Sequence, residues 1–104
     1  MATKERRVEV QRLLESATPN VYFQPPANVS MNYPCVVYHK APPKDIHAND
    51  QRYGSRQKYT ITVMDRSPDT QIAEQIVKIF KRNVSIVNYA TVSGLNHIYL
   101  ELYY

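Results

Sequence analysis

Glycine, cysteine and tryptophan are scarce in this chain of 104 residues, which contains two, one and none of them, respectively. Gly54 and Gly94 are too few for a phosphate-binding loop or a dinucleotide fingerprint, which need several glycines at fixed spacing. A single cysteine, Cys35, excludes an internal disulfide and indicates a reducing compartment. Because it lies in the apolar run CVVY at 35–38, it is predicted to be a buried small hydrophobe. No run of about 18 apolar residues occurs, so the sequence predicts no membrane-spanning helix.

Metal ligands and catalytic groups are also few. His39, His47 and His97 are far apart in sequence and share no ligand spacing. Asp45, His47 and Asp50 come nearest to a cluster, but a zinc site takes three or four ligands in a tight arrangement, usually including cysteine or a second histidine. We therefore expect no cofactor, no bound metal and no enzymatic activity.

The charge balance argues against specific nucleic-acid binding. The chain has 13 lysines and arginines against nine acids, a net charge of +4, and the basic residues are spread along it. The N-terminus lacks the apolar region of a signal peptide, so we expect use inside a cell. Nine tyrosines are the unusual feature. Most are expected to pack across strands of one sheet, and a few to face a partner.

Hydrophobic periodicity predicts two helices and four to five strands. The first helix is predicted from about Thr3 to Ala17. The second is predicted to start with Ser67 as its cap and Pro68 in its first turn, and to end near Arg82. The predicted strands are Val21–Phe23, Pro34–Lys40, Gln57–Asp65, Ser85–Val92 and Asn96–Tyr103. Ser93-Gly94-Leu95 is predicted to be the hairpin loop between the last two.

This order predicts an α+β fold in a single domain over residues 1–104. Two helices with single apolar stripes are expected to pack on one face of a small mixed or antiparallel sheet of four to five strands. In the last strand, Ile98, Leu100 and Leu102 alternate with polar residues, so they are predicted to face the core.

The polar segment 41–54 is predicted to be a loop, and we call it the candidate loop. It is the main candidate for a protein interface, because it is longer than the connections of about 4–6 residues that are usual in compact domains. Ile46 and Tyr53 are candidate anchors in otherwise polar surroundings. Arg52 is suited to bidentate pairing with a partner carboxylate, and Arg56 and Lys58 continue the segment with positive charge. We expect this segment to contact a neighbouring subunit or another protein.

Four stretches, in this order, resemble the tail terminator (tail completion) proteins of long-tailed bacteriophages with non-contractile tails. The stretches are VYFQPP at 21–26, MNYPCVVY at 31–38, YTITVMDRSPD at 59–69 and LNHIYLELYY at 95–104. The chain departs from the family pattern in two places. The central loop reads HAND at 47–50 where the family usually has an Ala-Asp-Asn-like element, and the stretch 79–88 lacks the expected connection with Pro and Phe.

The resemblance implies a structural virion protein with no catalytic residues. Such a subunit caps the tail tube as a ring, expected to be a hexamer, ends tail elongation and presents the surface for head joining. Its partners would be copies of itself, the tail tube protein and the head-tail connector proteins, with neither membrane nor specific nucleic acid among them. Two alternatives remain open: a head-closure or other neck protein, and a small protein that binds single-stranded nucleic acid.

Overall fold

The computed structural model of the chain describes residues 3–42 and 56–104. Within these residues, the chain forms two α-helices, a short 3-10 turn and one sheet of five strands. The elements are α1 (Thr3–Glu15), β1 (Val21–Phe23), β2 (Cys35–Ala41), β3 (Lys58–Asp65), α2 (Ile72–Phe80), the 3-10 turn (Lys81–Asn83), β4 (Val84–Val92) and β5 (Leu95–Tyr103).

The sheet is mixed, with the strand order β1-β2-β3-β5-β4. β1 pairs parallel to β2, whereas the other three neighbouring pairs are antiparallel. The predicted α+β class is confirmed, and each predicted strand lies within one residue of its observed bounds. The last strand is placed between β3 and β4, so β1 and β4 form the two edges of the sheet.

The main core joins side chains of both helices with alternate residues of the strands. Ile61 of β3 lies opposite Leu100 of β5 in the register, and both are almost completely buried. Burying a side chain of this size contributes about 1.5–3 kcal/mol relative to leaving it exposed. The other members with under 2% exposure are Val10, Leu14, Val36, Tyr38, Tyr59, Val63, Ile76 and Leu102.

Helix α1 begins where the sequence predicts and ends at Glu15, two residues before the predicted end. Val10 and Leu14, one turn apart, are completely buried. The last turn is closed by Ser16, whose hydroxyl and backbone N–H both donate to the Leu13 carbonyl. The helix is therefore held to the sheet by one narrow apolar stripe.

The predicted start of the second helix is wrong. Its N-cap is Gln71, not Ser67, and the helix begins at Ile72. The Asp65 carboxylate accepts the Ser67 N–H at 3.0 Å, and the Ser67 hydroxyl accepts the Asp69 N–H at 3.2 Å. These side chains close local turns instead of capping a helix, a competition that is characteristic of Asp and Ser. The helix then begins where its apolar stripe begins.

The two C-terminal strands are joined by a two-residue turn. Ser93 and Gly94 both have positive φ, 52° and 79°, as a type I′ turn requires. This turn twists in the same sense as the strands it joins, which explains how β4 and β5 pair over nearly their whole length. The predicted alternation of β5 is confirmed, since Ile98, Leu100 and Leu102 are buried.

A second, smaller cluster lies on the other face of the sheet. Cys35, Val37 and Met64 are its buried members, and Tyr22 and Tyr33 are among the half-buried residues packed against it. Cys35 has no exposed surface. The prediction that it is a buried small hydrophobe is confirmed.

Candidate protein-interaction surface

Strand alternation gives the sheet a polar face at β3 and β5, opposite the main core. We define it by Thr60, Thr62, Tyr99, Glu101 and Tyr103, which alternate with the buried residues of these two strands. Thr60 is exposed and the other four are half-buried. The register brings Thr60 opposite Glu101 and Thr62 opposite Tyr99. This surface combines aromatic and polar groups, as protein interfaces commonly do.

An ion pair lies at one end of the polar face. The Lys58 Nζ atom is 3.3 Å from a carboxylate oxygen of Glu101, and the two side chains are 8% and 21% exposed. Lys58 was predicted to contact a partner. In the structure, the Lys58 ammonium forms an ion pair with Glu101 of the same chain. Its contact with a partner stays a prediction.

Near this ion pair, a hydrogen bond joins Ala41, the first residue of the candidate loop, to Gln57, which follows that loop. The Gln57 side-chain amide donates to the carbonyls of Ala41 and Lys58, each at 2.9 Å. The Gln57 backbone also exchanges two hydrogen bonds with Tyr104. Arg56 precedes this anchor and is exposed. The remaining predicted interface residues, Ile46, Arg52 and Tyr53, lie outside the described residues.

The edge strand β4 is the most apolar exposed surface of the described chain. Tyr89 is 67% exposed, and Val87 and Val92 are each 50% exposed. None of its nine residues is charged. Long apolar edge strands favour pairing with another chain, and natural proteins usually protect them with charge or proline. No residue of β4 was predicted to be part of a site, although the absence of charged residues from this strand is visible in the sequence.

Tyrosines divide between the core and the surface. Tyr38 is completely buried, and its hydroxyl donates to the Gln11 side-chain carbonyl at 2.6 Å. Burial raises the pKa of Tyr38 and, likewise, the pKa of Tyr59. Tyr104 packs edge-on against Phe80 with 5.7 Å between ring centres. Tyr89, by contrast, is mostly exposed.

Two arginines lie over aromatic rings that do not belong to the polar face. The Arg7 guanidinium is 4.5 Å from the centre of the Phe23 ring, and that of Arg66 is 5.8 Å from the Tyr33 ring centre. Cation–π contacts of this kind contribute about 0.5–1 kcal/mol at exposed sites. Both guanidinium groups therefore lie over rings other than the tyrosines of the polar face.

Cys35 has the properties of a structural thiol. Burial raises its pKa, which keeps the thiol protonated, whereas a nucleophilic cysteine needs a lowered pKa. In residues 3–42 and 56–104, no three His, Cys, Asp or Glu side chains are grouped so that they could hold a metal ion. No helix in the same ranges is long and apolar enough to cross a membrane.

Comparison with known proteins gives no relative. No protein family, no curated protein and no solved structure matches the chain.

Proposed function

We propose that this protein is a tail terminator, a ring-forming subunit that caps a non-contractile phage tail tube. One observation carries the proposal. The four stretches that resemble the family lie on β1, β2, β3 and β5, which are four adjacent strands of the sheet. Stretches separated by up to 25 residues in sequence are thus one continuous block in space. A chance likeness spread along the chain would not be expected to form such a block.

The departures from the family pattern fall outside this block. The stretch 79–88 covers the end of α2, the 3-10 turn and the first half of β4. The other departure, 47–50, lies outside the described residues. The first departure is thus at a helix end, in a connection and on an edge strand, where families vary more than in central strands.

An assembly role also suits the surfaces of the described chain. The polar face presents half-buried Tyr99 and Tyr103 beside the anchored ends of the candidate loop. A subunit of a closed ring needs surfaces that neighbours cover, and aromatic residues are enriched in such interfaces. On this proposal, copies of the chain, the tail tube protein and the head-tail connector proteins are the partners, and the protein is part of the virion.

Tail assembly in the absence and presence of the purified protein tests the proposal. Tails are assembled from the other tail proteins of the phage that encodes the chain, and their lengths are measured by electron microscopy. With the protein, we expect one uniform length and a ring at the end of the tube. Tails that keep growing past that length, with no ring, would refute the proposal.

The candidate loop provides a more selective test. Deletion of residues 44–52, or the double change Arg52→Ala and Tyr53→Ala, is expected to abolish correct termination while the melting temperature stays within a few degrees. Arg82→Ala, an exposed change on the 3-10 turn, is the matched loss of one arginine. Normal termination and head joining by the loop variants would contradict a role for the loop. Failure of these variants to fold would make the loop structural.

A protein that binds single-stranded nucleic acid is the competing class, because tyrosines on strands can stack on bases. The Lys58–Glu101 ion pair opposes it, since a carboxylate within the chain already neutralises the lysine at the end of the polar face. Binding to single-stranded DNA measured against salt concentration separates the two functions.

A further inference from the structure

The two edges of the sheet differ in length and in what occupies them. β1 has three residues, and the Val21 carbonyl accepts a hydrogen bond of 3.4 Å from the side chain of Gln11 on α1. β4 has nine residues and is exposed along most of its length. β4 therefore offers more residues than β1 for pairing with an additional strand.

A bulge divides β4 and defines the part that is regular. The register with β5 shifts between Ile86 and Asn88, so Val87 has no direct partner. From Asn88 to Val92, the pairing with β5 is uninterrupted. Bulges end regular pairing, so Asn88–Val92 is the stretch on which a further strand can build.

A shallow groove adjoins this stretch. It has a volume of about 230 Å³ and is lined by Pro68, by Tyr89 and Thr91 of β4, and by Asn96 and Ile98 of β5. Its polar side is already ordered, since the Thr91 hydroxyl donates to the Asn96 side chain, which itself donates to the Arg66 carbonyl at 3.2 Å. A groove of this size suits one aromatic ring.

We propose that β4 pairs antiparallel with β4 of a second copy of this chain, about a two-fold axis at Ala90. In this register, Tyr89 of each copy lies opposite Thr91 of the other, on the same face of the joined sheet. Each Tyr89 ring then reaches the groove beside Thr91 of its neighbour. Buried tyrosines at the centre of an interface commonly carry much of its binding energy.

The chemistry of the strand favours a copy as the occupant. β4 carries no charge, so self-pairing places no like charges opposite each other. In the single chain, the Tyr89 N–H donates a hydrogen bond of 2.8 Å to the Asn88 side-chain oxygen. On pairing, this N–H would donate to the Thr91 carbonyl of the second copy instead. A head-to-tail contact would instead have to use the short and partly occupied β1 edge.

The contact is small. A stable interface buries roughly 800 Å² on each partner, and one five-residue strand with a single aromatic anchor provides less. We therefore expect weak association in solution that a disulfide can trap. A two-fold pair closes on itself, so it is a contact separate from the head-to-tail contacts of the proposed ring.

Disulfide trapping of the purified protein tests the pairing without tails, so its outcome is independent of the proposed function. Ala90→Cys places two thiols at the axis, where directly opposed Cα atoms of antiparallel strands are about 4.5–5.5 Å apart, within disulfide range. Ser85→Cys, exposed on the other side of the bulge, is the matched control. Native Cys35 is buried in all variants.

Under mild oxidation, Ala90→Cys should form linked dimers at least about tenfold faster than Ser85→Cys, after correction for the reactivity of each thiol. Adding Tyr89→Ser to Ala90→Cys should remove that advantage, by about tenfold. Equal rates for the two single-cysteine variants would overturn the pairing. Faster linkage of Asn88→Cys than of Ala90→Cys would overturn the register, and no effect of Tyr89→Ser would overturn the docking of Tyr89.

Discussion

Neutralising Glu101 tests how much the Lys58–Glu101 ion pair contributes to the free energy of unfolding. Glu101→Gln keeps the shape of the side chain but leaves the Lys58 ammonium, on a residue only 7% exposed, without its carboxylate. Breaking a fully buried pair costs about 3–5 kcal/mol. Because Glu101 retains 21% exposure, water screens part of this effect. We expect a loss of roughly 1–3 kcal/mol in the free energy of unfolding.

A double-mutant cycle isolates the ion pair from other contacts of Glu101. Lys58→Met removes the charge and keeps most of the apolar stem. If the main penalty of Glu101→Gln is an uncompensated charge, the double variant should be more stable than Glu101→Gln alone. The coupling energy is then about 1 kcal/mol or more.

Urea unfolding followed by circular dichroism measures all four proteins of the cycle. Glu74→Gln, an exposed change on α2, is the control and should stay within about 0.5 kcal/mol of the unmodified protein. A coupling energy below about 0.5 kcal/mol would refute the argument, because the pair would then behave like an exposed salt bridge.

The same double variant separates the structural role of Lys58 from its predicted interface role. A folded double variant that still terminates tails would show that the Lys58 charge serves the fold. A folded double variant that fails to terminate tails, while Glu74→Gln succeeds, would place the Lys58 or Glu101 side chain in contact with a partner.

Further predictions concern the core, the buried titratable groups and nucleic acid. Leu100→Ala should lower the free energy of unfolding by about 2–5 kcal/mol, whereas exposed Thr60→Ala on the polar face should change it by under about 1 kcal/mol, both measured by urea unfolding. Burial raises the pKa values of Tyr38 and Tyr59 above 10.0. Their contribution to the free energy of unfolding should therefore be constant below about pH 10 and be lost as pH rises through the folded-state pKa values. An unfolding midpoint unchanged at about pH 11 would contradict this. The Cys35 thiol should react with a thiol reagent at least about a hundredfold faster in denaturant than in the native protein, and equal rates would show that its site opens readily. Binding to single-stranded DNA should be weak and salt-sensitive, and sub-micromolar binding at about 0.15 M salt would favour the competing function.

The strands of this protein were readable from local sequence. Ile98, Leu100 and Leu102 alternate with polar residues, and a period of two specifies both the strand and its buried face. Ser93-Gly94 also predicted a hairpin, since glycine takes positive φ without strain. These features depend on neighbours along the chain and therefore need no tertiary information.

The start of α2 was not readable in this way. Ser67, Pro68 and Asp69 are typical of a helix N-terminus, but they are equally typical of turns. The choice between them depends on where Ile72 and Ile76 meet the core, because buried apolar contacts outweigh a single cap. In the same way, the sequence around Lys58 contains no sign of its ion pair, because Glu101 lies on β5 and only the fold brings it beside Lys58.

The sequence by itself determined the number of helices, the bounds of the strands to within one residue, the core face of β5 and the burial of Cys35, because periodicity and polarity act locally. Only the tertiary structure decided the order of the strands. It inserts β5 between β3 and β4, which joins Lys58 to Glu101 and leaves β4 at the edge. Pairing between β3 and β5 links residues about 40 positions apart, and the pairing energy of distant strands depends on the whole set of cross-strand contacts. The polar face and the exposed edge are therefore products of topology that no single segment specifies.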